Sequence, residues 1–242
     1  MILKRRISIW LGFIIFFTLN TNAQNINVGG VFPTIDHSGN ITSKLNYSLY
    51  YFGAFPLVNF DKPDISKDSY FHLFYSEQAI SYKLTDKFSV TGSYVYQRAN
   101  AVYDNYVNEN RFYVQAKYKH TVKKINLTHR LRFDGRFIHN RFTNETPFTH
   151  RVRYLIGLDV PIKEKLYFTT YEEVFFNTSQ NAGTVYDENW AYAALGKKLN
   201  ENNKLEAGIL YVTWNIGKNN WFNQYYFQLT WINSINFKKT KP

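Results

Sequence analysis

The chain has 242 residues, of which 45% are hydrophobic and 19% charged, a balance that excludes a disordered chain. It has no cysteine, which excludes a disulfide scaffold, a thiolate metal site, a cysteine nucleophile and a lipidated N-terminal cysteine. The net charge is +11 and 19% of residues are aromatic, yet the mean hydropathy is −0.39, so no helical membrane bundle fits: apolar runs long enough to span are missing beyond the N-terminus.

Lys4, Arg5 and Arg6 precede the 13-residue apolar stretch Ile7–Leu19, and Thr21-Asn22-Ala23 ends it with small residues. This order predicts a secretory signal peptide over residues 1–23, with the mature chain starting at Gln24. Three basic residues leave with it, so the mature charge falls from +11 to +8. The remaining basic residues are spread along the chain, and no helix-turn-helix, zinc-finger or RNA-binding aromatic motif accompanies them; nucleic acid is therefore not an expected partner.

From residue 24 onward period-two alternation dominates, the signature of strands with two unlike faces. Strands are predicted at 41–53, 70–84, 88–98, 109–120, 126–137, 148–160, 165–177, 189–199, 204–214 and 223–237, with 26–32 as a further strand or a lead-in. The segment 70–84 changes its apolar side around Glu77, and Val95 breaks the alternation of its strand. Short turns at 85–87, 121–124, 161–164 and 200–203 alternate with longer loops at 54–69, 99–108, 138–147, 178–188 and 215–222. That alternation is the habit of outer-membrane barrels, and an even strand number would place both termini on one side. The expected fold is all-β: a single antiparallel up-and-down transmembrane barrel of about ten strands, with twelve as the upper reading.

The two faces differ in kind. One carries rings, many towards strand ends: Phe88, Tyr118, Phe137, Tyr154, Trp190, Tyr211, Trp231 and Phe237, as expected of interfacial girdles. The other carries charge in mid-strand: Arg130, Arg132, Asp134, Arg136, Arg151, Arg153, Asp159 and Glu173. An arginine facing lipid at the bilayer midplane costs about 2–4 kcal/mol, so this face must line the lumen. With the loop 138–147 taken as symmetric, Asp134 falls opposite Arg151 and Arg132 opposite Arg153; pairing across the predicted short turns sets Glu173 opposite Arg151 or Arg153, Lys117 beside Arg130, and Lys197 opposite Glu206.

His129-Arg130-Leu131-Arg132-Phe133, His150-Arg151-Val152-Arg153-Tyr154 and Tyr171-Glu172-Glu173-Val174-Phe175-Phe176-Asn177, with the export end Asn22-Ala23-Gln24, resemble a known set. They are similar to outer-membrane β-barrel proteins of unknown function catalogued as domain of unknown function 2490, common in Bacteroidota. The resemblance runs from about residue 40 to 237 and implies a barrel in the outer membrane, with no activity attached.

The charged face has a structural reading, as salt bridges that fill a narrow lumen, and a functional one, as a pore wall favouring small anionic solutes. A lipid- or envelope-modifying enzyme is the alternative function, with His139 in an outer loop and His150 as its candidate groups; a secreted ligand-binding β-sandwich is the third. His129 and His150 fall on the lipid-facing phase. No serine stands in a nucleophile motif, and no cofactor is expected, because no phosphate-cradling glycine loop is present. Histidines and acids do not recur at metal-ligand spacing, and Asp61, Asp64 and Asp68 lack the spacing of a calcium loop. The expected partners are outer-membrane lipid, the barrel-assembly machinery and, through an open lumen, small anionic solutes. Phe237 is the expected terminal assembly signal, followed by the basic tail Lys238–Pro242.

Overall fold

A computed structural model describes residues 26–61, 72–102, 106–141, 143–179, 185–217 and 220–236. The expected signal peptide, Asp64, Asp68, Phe237 and the basic tail lie outside these residues. Within them the chain forms strands β1 (Ile26–Asn40), β2 (Leu45–Asn59), β3 (Leu73–Lys83), β4 (Phe88–Ala99), β5 (Val107–Val122), β6 (Ile125–Asn140), β7 (Phe148–Pro161), β8 (Leu166–Asn177), β9 (Val185–Lys198), β10 (Asn203–Gly217) and β11 (Asn220–Asn236). Each strand pairs antiparallel with the next, and the sheet closes on itself into one barrel.

All ten expected strands are present, as β2 to β11. The segment 26–32, expected as a further strand or a lead-in, is the start of a full strand of 15 residues. An odd number of strands makes the first and last run in the same direction, so β1 and β11 close the barrel in parallel, from Ile26 opposite Phe222 to Asn40 opposite Asn236. The barrel is therefore mixed where an all-antiparallel one was expected, and Ile26 and Asn236 stand at opposite ends of it. The reason lies in the composition of β1: Gly29, Gly30, Pro33 and Gly39 hide its alternation. The register with β2 shifts between Gly29 and Gly30, the bulge that such residues permit.

A closed ring of partners fixes the tilt. From Asn40 it runs through Asn46, Ser81, Thr91, Gln115, Arg132, Arg153, Phe175, Glu188, Trp214 and Phe222, and returns to β1 at Ile26, 14 residues from its start. With strands ~4.8 Å apart and ~3.3 Å of rise per residue, that stagger requires a tilt of about 40°.

Short connections gather at one end, at residues 41–44, 84–87, 123–124, 162–165 and 199–202. Lys123 takes a left-handed conformation, φ 58°, in the two-residue turn between β5 and β6. Longer segments join strands at the other end. The expected loop at 215–222 is the exception, since β10 and β11 extend across it and leave only residues 218–219 between them.

Side chains are distributed in reverse of a soluble protein. Ile35, Ile80, Phe112, Val114, Leu131, Phe133, Ile156, Leu195, Ile209, Phe227, Leu229 and Trp231 stand exposed on the outer wall. Glu77, Glu109, Arg111, Arg132, Asp134, Arg151, Arg153 and Glu173 are buried inside. Two puzzles of the sequence resolve here. In β3, Tyr75, Glu77 and Ala79 point inward while Ile80 and Tyr82 are exposed, because the interior takes rings as well as charges. Val95 shares the inward phase of buried Thr91 and is itself fully buried.

Candidate functional site

The inward phase of β5, β6 and β7 delivers alternate residues to the lumen: Glu109 and Arg111; Arg130, Arg132, Asp134 and Arg136; Arg151 and Arg153. β8 adds Glu173, β3 adds Glu77 and β9 adds Glu188.

Each carboxylate gathers its cations. Asp134, whose side chain is fully buried, lies 3.3 Å from Arg151 Nη2, 3.8 Å from Arg153 Nη1 and 4.0 Å from Arg111 Nη1. Glu173 bridges Arg130 Nη2 at 2.7 Å and Arg153 Nη2 at 2.8 Å. Glu109 accepts a two-pronged pair of bonds from Arg136, Nε at 2.8 Å and Nη2 at 2.9 Å, and a third from Arg111 Nε at 2.7 Å. Glu77 takes Arg132 Nη1 at 3.4 Å and the hydroxyls of Tyr75 and Tyr113 at 2.7 and 2.6 Å. Glu188 takes Arg151 Nη1 at 2.8 Å and the Trp190 indole N–H at 2.5 Å. Arginine suits this web because its planar fork serves two carboxylates, or one twice. The forks also lie over rings: Arg132 at 3.7 Å from the Tyr113 centroid, Arg153 at 4.2 Å from that of Phe175.

The other side of the lumen is aromatic. Phe52 stacks on Phe32 with centroids 4.5 Å apart and on Tyr75 at 4.4 Å. It also meets Trp190 edge-on at 5.9 Å. β1, β11 and β10 separate the strands of Phe52 and Trp190 around the wall, so this contact crosses the interior. A cavity of about 850 Å³ remains. It is lined at the short-turn end by Asp36, Lys83 and Lys119, at mid-height by Arg132 and Glu173, and near the loops by Asn177, Glu188 and Asn215.

Of the residues singled out in the sequence, Arg130, Arg132, Asp134, Arg136, Arg151, Arg153 and Glu173 come together in this web. Asp159 does not: it lies opposite Thr169, exposed towards the short-turn end, and makes none of these ion pairs. Asp134 faces Arg151, Arg132 faces Arg153 and Lys117 faces Arg130, as the turn arithmetic placed them. Glu173 is displaced: it faces Leu155, two residues beyond Arg153 and four beyond Arg151, and Arg153 reaches it diagonally. Lys197 faces Leu205, and Glu206 lies on the other face, where it accepts the hydroxyls of Tyr167 at 2.7 Å and Tyr192 at 3.2 Å. Glu77, Glu109, Arg111 and Glu188 were missed as members. Arg111 and Glu109 were legible from the alternation of β5; Glu77 was hidden by its aromatic neighbours.

Phe88, Tyr118, Phe137, Tyr154, Tyr211 and Trp231 lie on the outer phase of their strands. Trp190 is the correction: it shares the phase of buried Tyr192 and packs inward on Phe32, Phe52 and Phe175. Among the described residues no histidine ring is hydrogen-bonded to a serine hydroxyl. His129 Nδ1 is 2.8 Å from the Tyr154 hydroxyl, with its ring stacked on His120, and His139 Nδ1 is 3.1 Å from Thr146 Oγ1. Among the described residues no group of three His, Asp or Glu side chains is placed to hold a metal ion.

No curated protein matches the chain. Among solved structures, the siderophore receptor PirA from Pseudomonas aeruginosa aligns at 12% identity with a TM-score of 0.30, over 75% of this chain and 36% of the receptor. The chain thus spans about a third of that receptor's length. The family model described as "Protein of unknown function (DUF2490)" matches residues 59–223, more than half of the sequence, and the chain belongs to that family.

Proposed function

We propose that this protein is exported to the outer membrane, spans it as a β-barrel and acts as a porin-like passage whose charged lumen limits traffic to small solutes. The observation that carries this reading is the inverted distribution of side chains, with Phe112, Phe133, Leu195 and Phe227 exposed outside while Arg132, Asp134, Arg153 and Glu173 are buried inside. In water such a wall would be an aggregation surface; in lipid it is the solvated face, and the arginines avoid the midplane cost by facing inward. The tilt fits membrane barrels, and the short turns belong on the periplasmic side. The cavity lining that continues past the arginine web to both ends supports passage rather than a sealed plug. Outer-membrane lipid and the barrel-assembly machinery are the partners this reading requires.

Membrane fractionation with heat-modifiability on a gel tests it. Protein in the outer-membrane fraction whose band shifts between unheated and boiled samples supports the barrel in lipid. Soluble protein without a shift would refute it and return the wall to a secreted β protein.

A further inference from the structure

The arginines of the lumen are neutralised, but the lysines at its short-turn mouth are not. Lys83, Ser89, Lys117 and Arg130 are successive partners across β3, β4, β5 and β6, so they form one rung of the inner wall. Lys119 lies two residues nearer the mouth, and Lys87, whose carbonyl accepts the Lys119 backbone N–H at 2.8 Å, stands in the adjoining turn. All four lysines and Arg130 line the cavity, with Asp36 and Asp86 as the acids of that half. Among the described residues none of these lysines forms an ion pair within 4.0 Å, whereas each of the arginines deeper in the lumen does. Arg130 spends one Nη on Glu173, and its buried Nε has no hydrogen-bond partner. The mouth thus holds a surplus of cations and a donor aimed at nothing in the protein.

We propose that the short-turn mouth is a binding site for small soluble solutes carrying two or more anionic groups, phosphates or carboxylates. Lysine ammonium groups bind such groups as point charges, several at once across one rung. Set in the wall of a cavity, charges of one sign concentrate the field and raise the local anion concentration. A free solute is the occupant, because these side chains face the lumen and lipid lies beyond the wall. The proposal rests on the reading that the lumen opens to solution at this end.

The test is isothermal titration of the purified barrel, in a phosphate-free non-ionic detergent, with inorganic tripolyphosphate at low salt. The wild type should bind. Replacing Lys83, Lys117 and Lys119 together by glutamine should weaken binding at least tenfold while heat-modifiability is retained. The control replaces Lys163, Lys165 and Lys198, which lie outside the cavity lining, and should bind as the wild type does. Equal weakening in both variants, or no binding by the wild type, overturns the site. Conductance separates this from the passage itself: a barrel that conducts but does not bind loses only the site, and one that binds but does not conduct loses only the passage.

Discussion

Arg153 and Glu173 lie two rungs out of register on neighbouring strands yet form a two-pronged pair, Nε to Oε1 at 2.9 Å and Nη2 to Oε2 at 2.8 Å. The register gives Arg153 a Phe175 partner, and the guanidinium lies over that ring on its way to the carboxylate. The same Glu173 holds Arg130, so one buried carboxylate serves two cations.

Removing that carboxylate leaves Arg153 only the more distant Asp134, at 3.8 Å, and takes from Arg130 its ion pair. Glu173→Leu should destabilise the barrel by about 3–5 kcal/mol, the range for a broken buried pair. Replacing Arg153 and Glu173 together by leucine should recover part of the loss, since apolar pairs often match the ion pairs they replace. Urea unfolding in lipid vesicles measures both. A single variant as stable as the wild type would show that the pair is hydrated rather than buried.

Arg132 lies over the Tyr113 ring and reaches Glu77 from three strands away. Arg132→Ala should widen the lumen at mid-height, and single-channel conductance should rise at least twofold. An unchanged conductance would place the narrowest point elsewhere.

The opposed faces of Trp190 and Trp231 are testable by light. In vesicles of brominated lipid, a variant retaining only Trp231 should be strongly quenched, because that ring stands 48% exposed on the outer wall. A variant retaining only Trp190 should lose little emission. Equal quenching would put Trp190 in lipid.

Gly208 permits close approach of β9 and β10: a Cβ there would lie 2.2 Å from the Ala193 carbonyl oxygen and 2.4 Å from the Ala194 Cβ. Gly208→Val should prevent assembly of the heat-modifiable form. Gly92→Ala is the contrast, since nothing stands within 4 Å of its added carbon, and it should assemble normally.

What the sequence disclosed follows from period two. Strands β5 to β7 declared their faces because charged and apolar residues alternate along them, and short turns such as 123–124 let residue sums place Lys117 opposite Arg130. β1 stayed obscure because three glycines and a proline carry no pattern, and with it went the parity of the barrel and its parallel closure. Trp190 was misassigned because rings serve both faces here, filling the lumen at Phe32 and Phe52 as readily as they coat the outside at Phe133 and Phe227. The join between β7 and β8 differs from the expected registers by two or four residues, and an alternation of period two is blind to an even shift.

Planar-bilayer conductance of the purified, heat-modifiable protein tests the account most directly. If the barrel spans the membrane as proposed, its charged, partly filled lumen should give small steps, well below those of sixteen-stranded porins, with anions carrying more current than cations. Bilayers that demonstrably contain the folded barrel and pass no current would contradict it, and would leave the arginine web as a plug.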